Sequence, residues 1–80
     1  MKIEVLGPGC PKCQTLAENA RSAVEDLGLD CEVVKVSSIA EIVSRGILGT
    51  PALLVDGTVK VQGKVASVDQ IKEILSAATS

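Results

Sequence analysis

The sequence is organised around Gly7-Pro8-Gly9-Cys10-Pro11-Lys12-Cys13. This stretch follows an alternating run over residues 2–6 and opens a long helical pattern. Two cysteines separated by two residues at a strand-to-helix junction form either a dithiol/disulfide pair or half of a metal site. The rest of the chain provides the evidence for choosing between these two chemistries.

Composition limits what the chain can be and what it can bind. Its 80 residues, 46% of them hydrophobic, suffice for one small domain, residues 1–80, with a thin core. Because Phe, Trp and Tyr are absent, the core must be aliphatic, and nucleic-acid bases cannot be bound by aromatic stacking. A net charge of −2 also disfavours nucleic acid as a partner, since nucleic acid binds basic surfaces.

The absence of a targeting pattern points to a cytoplasmic protein, and the cysteine count limits what its cysteines can do. No apolar run approaches the roughly 18 residues of a membrane span, and no signal-peptide pattern follows Met1. We therefore expect a cytoplasmic monomer without a membrane partner, and in the cytoplasm disulfides are usually transient and catalytic. Three cysteines leave an odd one, and the absence of His excludes Cys–His catalysis and His-ligated metals. If the two spaced cysteines are a dithiol/disulfide pair, we expect no metal and no cofactor besides that redox-active disulfide.

Hydrophobic periodicity and turn signals predict the order β-α-β-α-β-β-α. The predicted elements are strand 2–6, a helix that begins near Pro11 and stops at Gly28, strand 31–36, a short helix 39–45, strand 52–55, strand 58–62 and a final helix from residue 68. Asp56-Gly57 is a type I′ hairpin signal. The final helix is predicted to bury five residues: Val68, Ile71, Ile74, Leu75 and Ala78.

Two further patterns mark helix starts. Ser38-x-x-Glu41 and Ser67-x-x-Gln70 both match the capping box, in which a hydroxyl and a carboxylate or amide each bind a backbone N–H. A strand, a helix and a second strand in succession also predict a right-handed unit with parallel strands.

The element order, Cys-x-x-Cys after the first strand and Gly49-Thr50-Pro51 before the hairpin together resemble the thioredoxin/glutaredoxin fold. The most similar group is the small redox-active disulfide proteins of archaea and bacteria. The resemblance covers nearly the whole chain, residues 2–77. It implies a thioredoxin-like α/β fold with a four-stranded mixed sheet in order 2-1-3-4, flanked by three helices.

The resemblance also implies a function. The chain would be a thiol–disulfide oxidoreductase that reduces protein disulfides, with Cys10 as nucleophile and Cys13 as the resolving cysteine. A helix N-terminus and the Lys12 ammonium should lower the pKa of Cys10, and Pro11 should stiffen the first turn. The electron donor would resemble thioredoxin reductase, or would be glutathione. The tyrosine of the usual glutaredoxin motif is absent, so glutathione use does not carry over from the family.

Two more positions receive roles from the resemblance. A cis peptide bond between Thr50 and Pro51 would let the Thr50 backbone pair with an extended substrate segment. Glu4, six residues before Cys10, matches a buried acid that accepts the proton of the resolving cysteine. That role needs a raised pKa. The simpler alternative, which we favour, is a solvated or salt-bridged glutamate beside Lys2.

Other interpretations remain open. Cys-x-x-Cys also occurs in soft-metal carriers that bind Cu(I) or Zn, although their order is β-α-β-β-α-β. A redox-sensing module could use the same disulfide as a switch. Cys31 is expected to be a small buried hydrophobe. The surface lysines Lys35, Lys60 and Lys64 are expected to be solvated.

Overall fold

Seven elements follow one another in the predicted order. The computed structural model describes residues 2–9, 11–47 and 49–79. Its elements are β1 (Lys2–Leu6), α1 (Pro11–Leu27), β2 (Glu32–Val36), α2 (Ile39–Ser44), β3 (Ala52–Val55), β4 (Thr58–Gln62) and α3 (Val68–Thr79). The second strand begins at Glu32, one residue later than predicted. Within the described ranges, no helix is both long and apolar enough to cross a membrane.

The four strands form one mixed sheet in the order β2-β1-β3-β4, which confirms the predicted fold. Strands β1 and β2 are parallel, whereas β3 runs antiparallel to both β1 and β4. Asp56 and Gly57 both have positive φ, 50° and 83°, as the two central residues of a type I′ turn require. The carboxyl ends of β1 and β2 therefore meet the start of β3 at one end of the sheet, which we call the α1 end because helix α1 begins there.

The alternation along β1 divides the core between the two faces of the sheet. Ile3 and Val5 face α1 and α3, where they join the larger hydrophobic cluster. Leu6 faces α2 and belongs to a smaller cluster with four other buried residues: Ile42, Ile47, Ala52 and Leu54. The face covered by α2 therefore has the thinner apolar cover.

Helix α3 buries less than its sequence pattern predicted. Ile71 and Leu75 are fully buried, but Ala78 is exposed, so its predicted burial was wrong. The Lys72 ammonium lies 3.8 Å from Asp26 in the last turn of α1. Because a helix rises about 1.5 Å per residue, Ala78 lies about 9 Å beyond Lys72 along α3, past the end of α1. The apolar pattern of α3 therefore extends to a position where α1 no longer lies against it.

The capping box at the start of α3 is complete. The Ser67 N–H donates to Gln70 Oε1 at 2.9 Å, and the Gln70 N–H donates to Ser67 Oγ at 3.2 Å. We expect Ser67→Ala to lower the free energy of unfolding by about 1 kcal/mol in urea denaturation, because the hydroxyl bond at the helix start is lost. Ser38→Ala is the comparison: its Oγ lies 3.5 Å from the Glu41 nitrogen, so it should cost less. Equal costs for the two variants would contradict this expectation.

Candidate active site

In the sequence, the predicted redox pair falls at the junction between β1 and α1. Cys10 is outside the described residues, so its predicted role as nucleophile stays a prediction. Cys13 occupies the first turn of α1 and is 4% exposed, as expected for the shielded member of the pair. Pro11 and Lys12 begin the helix and are exposed, and Gly9 before them has a φ of +90°. The Cys13 side chain is therefore held by a long helix whose next turns are buried in the core.

A close contact between Gly7 and Cys13 fixes the position of the buried sulfur. A Cβ added to Gly7 would overlap Cys13 Sγ and would lie 3.0 Å from Cys13 Cβ. It would also lie 3.9 Å from the Cα of Pro51. The space that a side chain would occupy at position 7 is thus filled by the Cys13 sulfur. The sequence predicts only that Gly7 ends the first strand and helps to leave Cys10 open to a bulky partner, because no local pattern marks a contact that depends on tertiary packing.

The Thr50–Pro51 peptide bond is cis, as predicted. Pro51 is buried, and its carbonyl oxygen accepts a hydrogen bond from the Gly63 N–H at 2.9 Å. Thr50 is exposed beside it. Gly7 therefore lies between the buried sulfur of Cys13 and the backbone of Pro51. The structure brings together three of the residues expected at the site, Cys13, Thr50 and Pro51.

Glu4 is buried on the α2 face of the sheet and is bound by an arginine. Its carboxylate accepts two hydrogen bonds from Arg45, Nη1 to Oε1 at 2.9 Å and Nη2 to Oε2 at 2.8 Å. Arg45 lies at the C-terminal end of α2, where its Nε is also 3.6 Å from Glu41 Oε2. The bidentate geometry is the strongest form of an arginine–carboxylate contact. This contact connects α2 to β1, one of the two central strands of the sheet.

This ion pair changes both interpretations of Glu4. The Arg45 hydrogen bonds lower the pKa of the Glu4 carboxyl and outweigh the effect of burial, which raises it. The raised pKa that a proton acceptor requires is therefore absent. The favoured alternative holds in one respect: the glutamate is salt-bridged, but it is buried, and its partner is Arg45 and not Lys2. Glu4 is instead a buried, ionised anchor for α2.

A cavity of about 220 Å³ adjoins Cys13 on the side of β2. Its lining residues are Val5, Gly7, Gly9, Cys13, Gln14, Lys35 and Ser37. The strand register explains why Lys35 lines this cavity, because Lys35 pairs with Val5 of β1. From the sequence, Lys35 was expected only to be a solvated surface charge. It is exposed as expected, but it also forms part of the wall beside the buried sulfur.

Cys31 lies apart from this site. It precedes β2 at the opposite end of the sheet and is half-buried against the larger hydrophobic cluster. Burial raises the pKa of its thiol, and a raised pKa suppresses the thiolate that disulfide exchange requires. These features support the expected packing role of Cys31.

Comparison with known sequences identifies the family. Residues 1–76 match the family described as Thioredoxin domain. A thioredoxin of Methanothermobacter thermautotrophicus is 47% identical over 76 residues, which cover 95% of this chain and 99% of that protein. A thioredoxin of Methanocaldococcus jannaschii is 44% identical over 73 residues, which cover 91% of this chain and 84% of that protein.

A solved structure shares the fold. Thioredoxin 1 from the thermophilic eubacterium Thermosipho africanus TCF52B aligns with a TM-score of 0.59 and 18% sequence identity, over 100% of both chains. At this identity the likeness concerns the fold alone. Similarity in sequence comes from the family match and the two archaeal relatives, which cover nearly the whole chain. The chain therefore belongs to the thioredoxin family of thiol–disulfide oxidoreductases.

Proposed function

We propose that this protein reduces disulfides in other proteins, with Cys10 as nucleophile and Cys13 as the resolving cysteine. One observation supports the proposal most directly. The Cys13 sulfur is buried at the start of α1 and packs against Gly7, next to the cis Thr50–Pro51 bond. A shielded thiol at a fixed position suits the second, intramolecular step of disulfide exchange better than the first attack on a bulky protein.

The reaction balances as a two-electron exchange. The Cys10 thiolate attacks one sulfur of the substrate disulfide, the substrate S–S bond breaks, and the other sulfur leaves as a thiolate that takes up a proton. Cys13 then loses its proton and attacks Cys10 in the mixed disulfide, which releases the second substrate thiol. The substrate has gained two electrons and two protons, and the protein carries a Cys10–Cys13 disulfide.

The neighbouring residues would have supporting roles. Lys12 and the N-terminus of α1 favour the Cys10 thiolate, and Pro11 occupies a helix start that needs no N–H. Thr50 and Pro51 would position an extended substrate segment through the Thr50 backbone. Glu4 supports the site by anchoring α2. No aromatic side chain flanks the cysteine pair, which leaves room for a protein substrate.

Turnover of insulin disulfides tests the proposal. The reduced protein should reduce insulin catalytically in the presence of dithiothreitol, and Cys10→Ser should abolish this activity because the attacking thiolate is lost. Cys31→Ser is the matched control and should retain the wild-type rate, since Cys31 lies at the other end of the sheet. Full activity in Cys10→Ser would end the proposal.

The electron donor requires a separate assay. The oxidised protein is incubated either with NADPH and a thioredoxin reductase or with glutathione, and the appearance of thiols is followed. We propose a reductase-type donor, because the tyrosine of glutaredoxin motifs is absent here. Clear turnover with glutathione alone would contradict this part of the proposal. A cytoplasmic location, a monomeric state and the absence of a further cofactor stay predictions.

The soft-metal alternative has a distinct outcome. Helix α2 lies between β2 and β3, where the β-α-β-β-α-β order of heavy-metal-associated domains has no helix. Stoichiometric binding of Cu(I) or Zn²⁺ by the reduced protein, together with no reduction of insulin, would favour a metal carrier over a reductase. A redox sensor would show neither metal binding nor catalytic turnover, but would still cycle between dithiol and disulfide.

A further inference from the structure

The cavity beside Cys13 combines one cation, two polar side chains and an apolar wall. Lys35 contributes the cation, Gln14 and Ser37 contribute an amide and a hydroxyl, and Val5 contributes the apolar surface. None of the described lining residues is acidic. Across residues 2–9, 11–47 and 49–79, no hydrogen bond or ion pair engages the Lys35 ammonium. The described lining therefore offers a cation and polar groups to an anion and contains no carboxylate of its own.

The charges of the chain are distributed unevenly around this cavity. Three exposed lysines, Lys12, Lys35 and Lys64, lie at or next to the α1 end of the sheet, where β1, β2 and β4 finish. Four acidic residues lie at or near the opposite end, where Lys2 is a cation among them: Asp26, Asp30, Glu32 and Asp56. Although its net charge is −2, the chain thus presents a positively charged face near the Cys13 sulfur. Such a face attracts acidic partners over a distance of about 8–10 Å at moderate ionic strength.

The cavity is small, which restricts its occupant. Sites for whole small-molecule ligands usually measure about 300–1,000 Å³, more than the 220 Å³ found here. A single aspartate or glutamate side chain is of the right size. Its methylene groups could contact Val5 while its carboxylate meets the Lys35 ammonium and the polar groups of Gln14 and Ser37.

We propose that this cavity is a recognition subsite for an acidic side chain of the protein partner, with Lys35 as its specificity-determining residue. The subsite lies on the β2 side of Cys13, whereas Pro51 lies on the β3 side. A partner would thus be held on both sides of the buried sulfur, through backbone contacts at Thr50 and through a carboxylate at Lys35. This inference rests on the proposed function, because it concerns the recognition of the same substrates.

Two matched disulfide peptides test the subsite. Both contain the same cystine, flanked by glutamate in one peptide and by glutamine in the other. We expect kcat/KM to favour the glutamate peptide about two- to fivefold, the range for a solvent-accessible ion pair. The preference should fall in 0.5 M NaCl, because salt screens the interaction. Lys35→Gln should abolish the preference. Lys60→Gln on β4, the opposite edge strand, is the control and should retain it.

A binding measurement separates this inference from the proposed function. Peptides with serine in place of cysteine cannot be reduced, so their contacts are read from backbone amide shifts in NMR spectra. The glutamate peptide should shift the amides of Gln14, Lys35 and Ser37 more than the glutamine peptide does. Equal shifts, or an unchanged preference in Lys35→Gln, would overturn the subsite. If neither cystine peptide is reduced, the proposed function fails, and the amide shifts still decide whether the cavity binds a carboxylate.

Discussion

Replacing Gly7 with alanine is expected to slow the release of the second substrate thiol about a hundredfold, because the resolving sulfur is displaced by about 1 Å. The added Cβ would overlap Cys13 Sγ, and the contact at 3.9 Å to the Pro51 Cα limits movement on the other side. The same crowding should lower the free energy of unfolding by about 1–3 kcal/mol. Rapid quenching, which measures the mixed disulfide over time, should show that it accumulates.

Gly49→Ala is the matched control for this experiment. Gly49 is also near the site, and its φ lies outside the left-handed region. A Cβ there would lie 3.4 Å from the Gly63 Cα and 3.7 Å from the Gln62 Cγ, which are ordinary contacts. Its stability should therefore change by no more than about 0.5 kcal/mol. If Gly7→Ala matched Gly49→Ala in both stability and resolution rate, the packing role of Gly7 would be refuted.

Arg45→Met is expected to lower the free energy of unfolding at pH 7 by clearly more than the ~0.5 kcal/mol of an ordinary surface substitution, because it leaves the buried Glu4 carboxylate without a partner. Because the Arg45 side chain is 32% exposed, the loss should stay below that of a fully buried ion pair. Urea denaturation measures the loss. Arg21→Met on the exposed face of α1 is the control, with an expected change within about 0.5 kcal/mol.

The double variant Glu4→Leu/Arg45→Met separates the pair from the packing around it. Replacing both members of a buried pair with apolar residues is often nearly neutral, so most of the lost stability should return. Failure to recover would mean that Arg45 acts through contacts other than Glu4. A loss in Arg45→Met no larger than that in Arg21→Met would contradict the anchoring role altogether.

The pH dependence of stability gives an independent test of the same pair. Arg45 holds the pKa of Glu4 below its ordinary value of 4.5. The contribution of Glu4 is therefore fully present above that value and is lost as pH falls through the folded-state pKa. In Arg45→Met the effect of burial, which raises the pKa of the Glu4 carboxyl, is opposed only by the weaker attraction of Lys2. The contribution of Glu4 should then change sign, and the variant should lose stability as pH rises through 4.5.

Most of the fold could be predicted from local sequence patterns. Asp56-Gly57 specifies a turn with two positive φ values, and Ser67-x-x-Gln70 specifies a helix start through two hydrogen bonds three residues apart. Such signals depend on neighbouring residues only. Ala78 shows the limit of periodicity: the pattern records which face of a helix is apolar, but not where the neighbouring helix ends.

The site was predictable only where a family motif marks it. The cysteine pair and the cis Thr50–Pro51 bond belong to such motifs. The partner of Glu4 lies 41 residues away on another element, and no spacing rule connects the two positions. Gly7 resembles an ordinary strand terminator, and its contact with Cys13 exists only after α1 has packed. Lys35 likewise looks like a solvated charge until the strand register places it beside Val5.

The sheet order determines which strands of this chain could pair with another copy and cause aggregation. Strands β2 and β4 are the two edges of the sheet, and their outer N–H and C=O groups have no partner strand within the described ranges. Such edges can template aggregation unless charge or irregularity interrupts them. Lys35 lies on one edge and Lys60 on the other, where the β3–β4 pairing also shifts register at Leu53/Leu54. Lys35, the lysine proposed to select an acidic partner, is therefore also a charged residue that disfavours pairing of the β2 edge with another copy of the chain.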